Sequence, residues 1–149
     1  MRIEKLLTAM MEYDYGDVPR IQHFVKVYEF ARMIGLMEGL DSKTQFTLES
    51  AAVVHDIGIH ISEQKYGSSS GKYQELEGPA EAKKLLDGLE WPADVTERVG
   101  YLVGHHHTYH DMDGMDYQIL VEADFLVNLF EDKVSPDGCR NAYHKIFRT

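Results

Sequence analysis

A single cysteine, Cys139, is all the thiol this chain holds. One thiol cannot close an internal disulfide, so a reducing cytoplasm is the default compartment. Long apolar runs are missing as well. No stretch reaches the roughly 18 residues that a bilayer span needs, which excludes a membrane-crossing helix. The first residues, Met1 to Met11, carry Glu4 and no small-residue cleavage site, so they do not read as a signal peptide. Four prolines and twelve glycines without a period exclude collagen-like and proline-rich designs. Positive charge is scarce: 15 Lys and Arg stand against 25 Asp and Glu, for a net charge of −10. A groove for long DNA or RNA needs the opposite sign. A small anionic substrate stays compatible, because a bound metal outweighs the global field locally. Phosphate-loop, dinucleotide-binding and Ser-His-Asp patterns are also lacking.

What the chain does have is an ordinary globular balance, 44% hydrophobic and 27% charged over 149 residues. That length fits one domain and buries roughly 68–70% of the unfolded surface. The unusual count is eight histidines, three of them consecutive.

Apolar residues recur at helical spacing and strand-like alternation is scarce, so the expected class is all-α. Ile3, Leu6, Leu7, Met10 and Met11 mark a first amphipathic helix. Asp17 caps a second, with Pro19 in its first turn, running to about Met37. Asp41 or Ser42 opens a third that ends at Gly58. Residues 59–76, with Gly67-Ser68-Ser69-Ser70-Gly71 in the middle, read as a long loop. Gly78-Pro79 restarts a helix to about Leu86. Trp91-Pro92 opens another, from about Ala93 to His106. Tyr117 to Phe130 is strongly apolar. Ser135-Pro136 opens a last short helix, with Cys139 packed in the core.

Several polar residues sit on faces that should be buried. Asp124 lies inside Ile119-Leu120-Val121-Glu122-Ala123-Asp124-Phe125-Leu126-Val127, and a buried carboxylate must be paired or bound to metal. His23 shares a stripe with Val27, Phe30 and Ile34. Taken alone, a histidine on such a face is more often a hydrogen-bonded core residue than a ligand. His55 and Asp56 end the third helix. Adjacent helical residues point about 100 degrees apart, so both reach one ion only near a helix end. Val95, Val99, Leu102 and His106 are spaced four, three and four, which turns His106 inward. His105 falls on a more mixed side, and His107 lies past the helix. Imidazole with carboxylate suits zinc, iron, manganese or nickel. One ion needs about four such donors, and more suggest two ions.

The series His23, His55-Asp56 in Val-Val-His-Asp-Ile-Gly, and Asp124 in Glu-Ala-Asp-Phe-Leu-Val-Asn resembles the HD-domain superfamily of metal-dependent phosphohydrolases. The likeness covers about residues 20–130. It implies one HD domain over residues 1–149, a helical bundle of the phosphodiesterase-like type, holding one or two divalent transition metal ions. His23, His55 and Asp124 would anchor the first ion and Asp56 would bridge to a second. The family pattern would place the second ion's ligands at Glu77, before Gly78-Pro79, and at His105 or His106.

The implied activity is hydrolysis of a nucleotide or other small phosphoester. Asp56 would orient the attacking water, and a spare histidine, His105 or His60, would protonate the leaving oxygen. A Lys that some branches carry after the HD pair is replaced here by Gly58-Ile59-His60, leaving Lys65 or Lys72 as cations for substrate phosphate. Two other readings share the ligand set: a di-iron oxygenase acting on a small polyol or phosphonate, and a non-catalytic metal- or nucleotide-binding module. The resemblance leaves the oligomeric state open.

Overall fold

Asp17, Asp41 and Ser135 each accept a backbone N–H three residues ahead, from Arg20, Thr44 and Gly138, and so start three of the helices. The computed structural model describes residues 2–149, and among them all regular structure is α-helical. The order is α1 (Arg2–Tyr13), α2 (Val18–Met37), α3 (Ser42–Val54), α4 (Ile59–Tyr66), α5 (Gly71–Gly88), α6 (Ala93–Val103), α7 (Met115–Glu131) and α8 (Pro136–Ile146).

α3 is the central rod. It packs against α1, α2, α6 and α7, while α2 also lies along α7 and α5 along α6. Leu6, Met10, Phe24, Val27, Leu48, Leu86, Leu102, Ile119 and Leu120 fill the space between them and are buried. Each such side chain contributes about 1.5–3 kcal/mol by leaving water. No helix of the described residues is long and apolar enough to cross a membrane.

The segment 59–76 is not a loop. It forms α4 and the first turn and a half of α5, with only residues 67–70 between. Gly67, at φ +65, closes α4 in the left-handed region. The glycines and serines read as a flexible middle are thus two helix ends back to back. Pro79 lies inside α5 rather than opening it. An interior proline loses the bond to the carbonyl four residues back. Here its ring packs over Gly104, where a Cβ would meet Pro79 Cγ at 3.1 Å.

Three further expectations shift. The stripe of α2 that enters the core is Phe24, Val27, Ala31 and Gly35 beside His23, and Phe30 faces outward. α6 stops at Val103, so His105, His106 and His107 stand on a turn. Cys139 is only half-buried, because α8 lies outside the bundle and buries Ile146 alone. The chain end is held instead by buried Glu122, which accepts N–H bonds from Arg148 and Thr149 at 2.9 and 3.2 Å.

One close approach shapes the site. A Cβ on Gly58 would come within 3.0 Å of the Gln74 carbonyl and the Gly78 Cα, and one on Gly78 within 2.7 Å of Val103 Cγ1. Two glycines therefore let the α3–α4 turn and α5 touch through their backbones and let the Val103 side chain of α6 pack onto α5. That contact brings His55-Asp56 beside His106.

Candidate metal centre

α2 delivers His23, the turn after α3 delivers His55 and Asp56, and the middle of α7 delivers Asp124. His55 is the residue that ends α3, with Asp56 in the turn after it. Leaving the helix there removes the 100-degree divergence and lets both side chains face one point. His23 Nε2 lies 3.2 Å from His55 Nε2, 3.1 Å from Asp56 Oδ2 and 3.2 Å from Asp124 Oδ1. His55 Nε2 lies 3.4 Å from Asp56 Oδ2 and 3.3 Å from Asp124 Oδ1. All four residues are buried or nearly so.

The outer nitrogens of the rings are already committed. His55 Nδ1–H donates to the Ala52 carbonyl at 2.7 Å and His106 Nδ1–H to the Val103 carbonyl at 2.8 Å. His23 Nδ1–H donates to Glu131 Oε1 at 2.7 Å, and Lys26 backs that carboxylate. Carbonyl and carboxylate oxygens only accept, so each neutral ring carries its proton on Nδ1 and turns an Nε2 lone pair inward. Second partners of this kind orient metal-ligating histidines.

A cation is what this arrangement calls for. An ion bound at about 2.0–2.2 Å holds neighbouring donors about 3.0–3.5 Å apart, which is the spacing of the four residues. Without one, protons must serve. Burial opposes a charge on His23, but Asp124 and Asp56 override it and push the ring up to about 9. His55 is likewise raised against burial by Asp56 and Asp124. Asp56 and Asp124 are held well below the usual carboxylate range by the histidines, again against burial.

Asp56 faces two ways. Its Oδ2 meets His23 and His55, and its Oδ1 lies 3.4 Å from His106 Nε2. That nitrogen is buried and has no hydrogen-bond partner. His106 is 1% exposed, and such orphaned buried atoms are rare in a folded chain. His107 joins Asp56 and His106 as a second group of potential ligands, with donor atoms within 4.8 Å of one another. Its ring lies tilted against His106 with centroids 4.0 Å apart, and its Nε2–H donates to Gln74 Oε1 at 3.1 Å. Burial, with His106 beside it, pushes His107 down to about 4, so it is neutral at pH 7. The donor set thus fits a divalent transition metal at the first group and leaves Asp56 shared with a three-residue second group.

The remaining sequence candidates lie elsewhere. Glu77 is one turn along α5 from Gln74 and faces out, accepting from Lys65 Nζ and Tyr66 Oη, both at 2.7 Å. Lys65 is therefore engaged away from the centre, and Lys72 sits over the Tyr73 ring at 4.8 Å. His105 turns away from His106. Its ring stacks on Tyr101 at 4.0 Å, and its Nδ1–H donates to the Tyr101 carbonyl at 2.7 Å. His60 lies 3.3 Å from Asp14 and 3.2 Å from Asp17, beside a separate pocket with Tyr13 and Tyr15.

Four residues of the centre escape a reading of the sequence: His107, Gln74, Glu131 and Arg20. Arg20 Nη1 donates to Asp56 Oδ2 at 3.0 Å. It stands three residues before His23, and Glu131 seven after Asp124, so helical spacing alone puts each on its ligand's face. No comparable signal selects Gln74 or His107. A cleft of about 480 Å³ leads to the centre, lined by Asp56, Asp124, His107, Arg20 and Gln74 among others.

The family model of the HD domain matches residues 20–135 of the chain. No curated protein and no solved structure matches it. HD domains bind divalent metals, and the matched span holds all the residues grouped above.

Proposed function

The chain belongs to the HD-domain family, and from that premise we propose that it is a metal-dependent phosphohydrolase that cleaves a nucleotide or other small phosphoester with water. The observation that carries this reading is the set of four inward donors at 3.1–3.4 Å, with the orphaned His106 Nε2 beside Asp56. His23, His55, Asp56 and Asp124 would hold the first ion, and Asp56, His106 and His107 a second. A divalent ion bound there supplies Lewis acidity to a phosphoryl oxygen and lowers the pKa of water toward neutrality.

The chain's own residues do the rest. Glu131 and the Ala52 and Val103 carbonyls fix three imidazoles in the tautomer that presents Nε2. Among the described residues Arg20 is the one cation lining the cleft, and it lies beside Asp56. Its guanidinium pairs with a phosphoryl group in the bidentate manner that arginine favours. In the place of Lys65 and Lys72, it supplies the substrate's countercharge. His107, neutral at pH 7, gives its one N–H to Gln74, which leaves the Nδ1 lone pair as what it would offer the second ion.

The test is reconstitution. Metal-stripped protein is loaded separately with Zn, Mn, Fe and Ni, and released phosphate and consumed oxygen are both recorded. Phosphate release that depends on the ion, with no oxygen uptake, is the expected result. Oxygen uptake dependent on iron, without phosphate release, overturns it.

A further inference from the structure

The walls of the cleft restrict what enters it. Beyond the two metal-facing carboxylates, Asp17, Glu63 and Asp132 line it, against Arg20 as the sole cation among the described residues. Glu63 and Asp132 are exposed at its rim, and among the described residues neither has an ion-pair partner. The lining is therefore five carboxylates to one guanidinium. Two bound divalent ions and Arg20 only balance these five carboxylates, and a compact phosphate monoester adds the fewest further charges. The ions and Arg20 do not offset a triphosphate as well, because like charges pressed together in a confined cleft repel.

The lining is also unsuited to a base. It contains no Phe, Tyr or Trp, and Ile59 is its one aliphatic side chain. Protein sites that hold nucleobases draw much of their affinity from stacking on aromatic rings. The ring that does line it, His107, is crowded by the tilted His106 ring at 4.0 Å and has its Nε2 taken by Gln74. Carboxylates and amides in such number instead suit hydroxyl and ammonium groups, which donate hydrogen bonds to them. The orphaned, buried His106 Nε2 lies behind the lining and faces Asp56, which is part of it, at 3.4 Å, so this cleft opens on a centre with an unmet demand for a ligand.

We propose that the substrate is the phosphate monoester of a small polyhydroxylated amine, an amino-sugar phosphate in kind, and not a nucleotide. This rests on the phosphohydrolase reading above. The phosphoryl group lies toward Asp56 and Arg20, and the ammonium lies toward Glu63 and Asp132 at the rim. Hydrolysis adds water oxygen to phosphorus and breaks the P–O ester bond. One water proton leaves with the alcohol, and inorganic phosphate is the other product.

Two measurements test it on the full chain. The first is phosphate release by the metal-loaded protein from glucosamine 6-phosphate, glucose 6-phosphate and deoxyadenosine 5′-monophosphate. The amino ester should show the highest kcat/KM, about tenfold over the neutral sugar ester. That ratio should fall toward one in Glu63→Gln and Asp132→Asn. A preference for the nucleotide, or a ratio unmoved by both variants, overturns the proposal. The second is calorimetric binding of unphosphorylated glucosamine and of adenosine, which needs no turnover. Glucosamine should bind, more weakly to Glu63→Gln, and adenosine should not. If no ester is hydrolysed while glucosamine binds in this way, the phosphohydrolase reading fails and the specificity of the cleft stands. If glucosamine does not bind, the specificity proposal fails.

Discussion

His106 Nε2 stands 3.4 Å from Asp56 Oδ1, buried and without a hydrogen-bond partner, while the other oxygen of Asp56 faces His23 and His55. One carboxylate thus belongs to two groups of donors, and the adjacent His105 belongs to neither.

That difference separates two neighbouring variants. His106→Ala removes an inward donor and should lower the metal content per chain, by about half if two ions bind. His105→Ala removes a ring stacked on Tyr101 and should leave metal content unchanged. Elemental analysis of both proteins decides. Loss of metal from the His105 variant alone would mean the turn after α6 is set the other way.

Asp124→Asn keeps the shape of a 4%-exposed side chain and removes its charge. The amide cannot replace the anion that faces His23 and His55 at 3.2 and 3.3 Å. We expect metal content to collapse and metal-dependent activity to fall by more than the 10–100-fold typical of an outer partner. Helical content by circular dichroism should be retained. Full metal occupancy in this variant would show that Asp124 is structural.

Glu77→Gln should leave metal content intact, because the side chain points toward Lys65 and Tyr66. Its cost is the weakening of one solvent-screened ion pair whose lysine is 54% exposed. A measured loss of metal would place Glu77 in the centre after all.

Asp14 gives a pH dependence outside the centre. Burial, offset in part by His60, pushes its carboxyl up from 3.8 to about 6. The folded chain therefore keeps this proton to higher pH than the unfolded chain does. Below about pH 4 both states are protonated and the site favours folding fully. As pH rises through about 6 that contribution is lost. Asp14→Asn should be more stable than the parent at pH 7–8 by about 1–2 kcal/mol, with the gap closing near pH 4. Thermal melts across that range would show it, and a gap that widens on acidification would refute it.

Apolar spacing by itself determines the helices, because a residue every three or four positions must share a face. Caps at Asp17, Asp41 and Ser135 set three of the starts. A carboxylate amid Leu120, Val121 and Val127 is conspicuous in the sequence itself, since it must find a partner once those neighbours are buried. The spacing of Val95, Val99 and Leu102 likewise points to His106 rather than His105.

What the sequence does not determine is how the ends of helices meet. Which of Gln74 and Glu77 faces inward depends on the rotation of α5. That rotation is set where Gly58 and Gly78 bring two backbones together. The Gly-Ser run gives no sign that α4 precedes it, because turn residues look alike whether they form a loop or two abutting helix ends. His107 becomes part of the centre only because α6 stops at Val103 and the chain turns back toward α5. Local spacing tells a residue which face of its own helix it shares. Only the packing of one helix on another decides what that face meets.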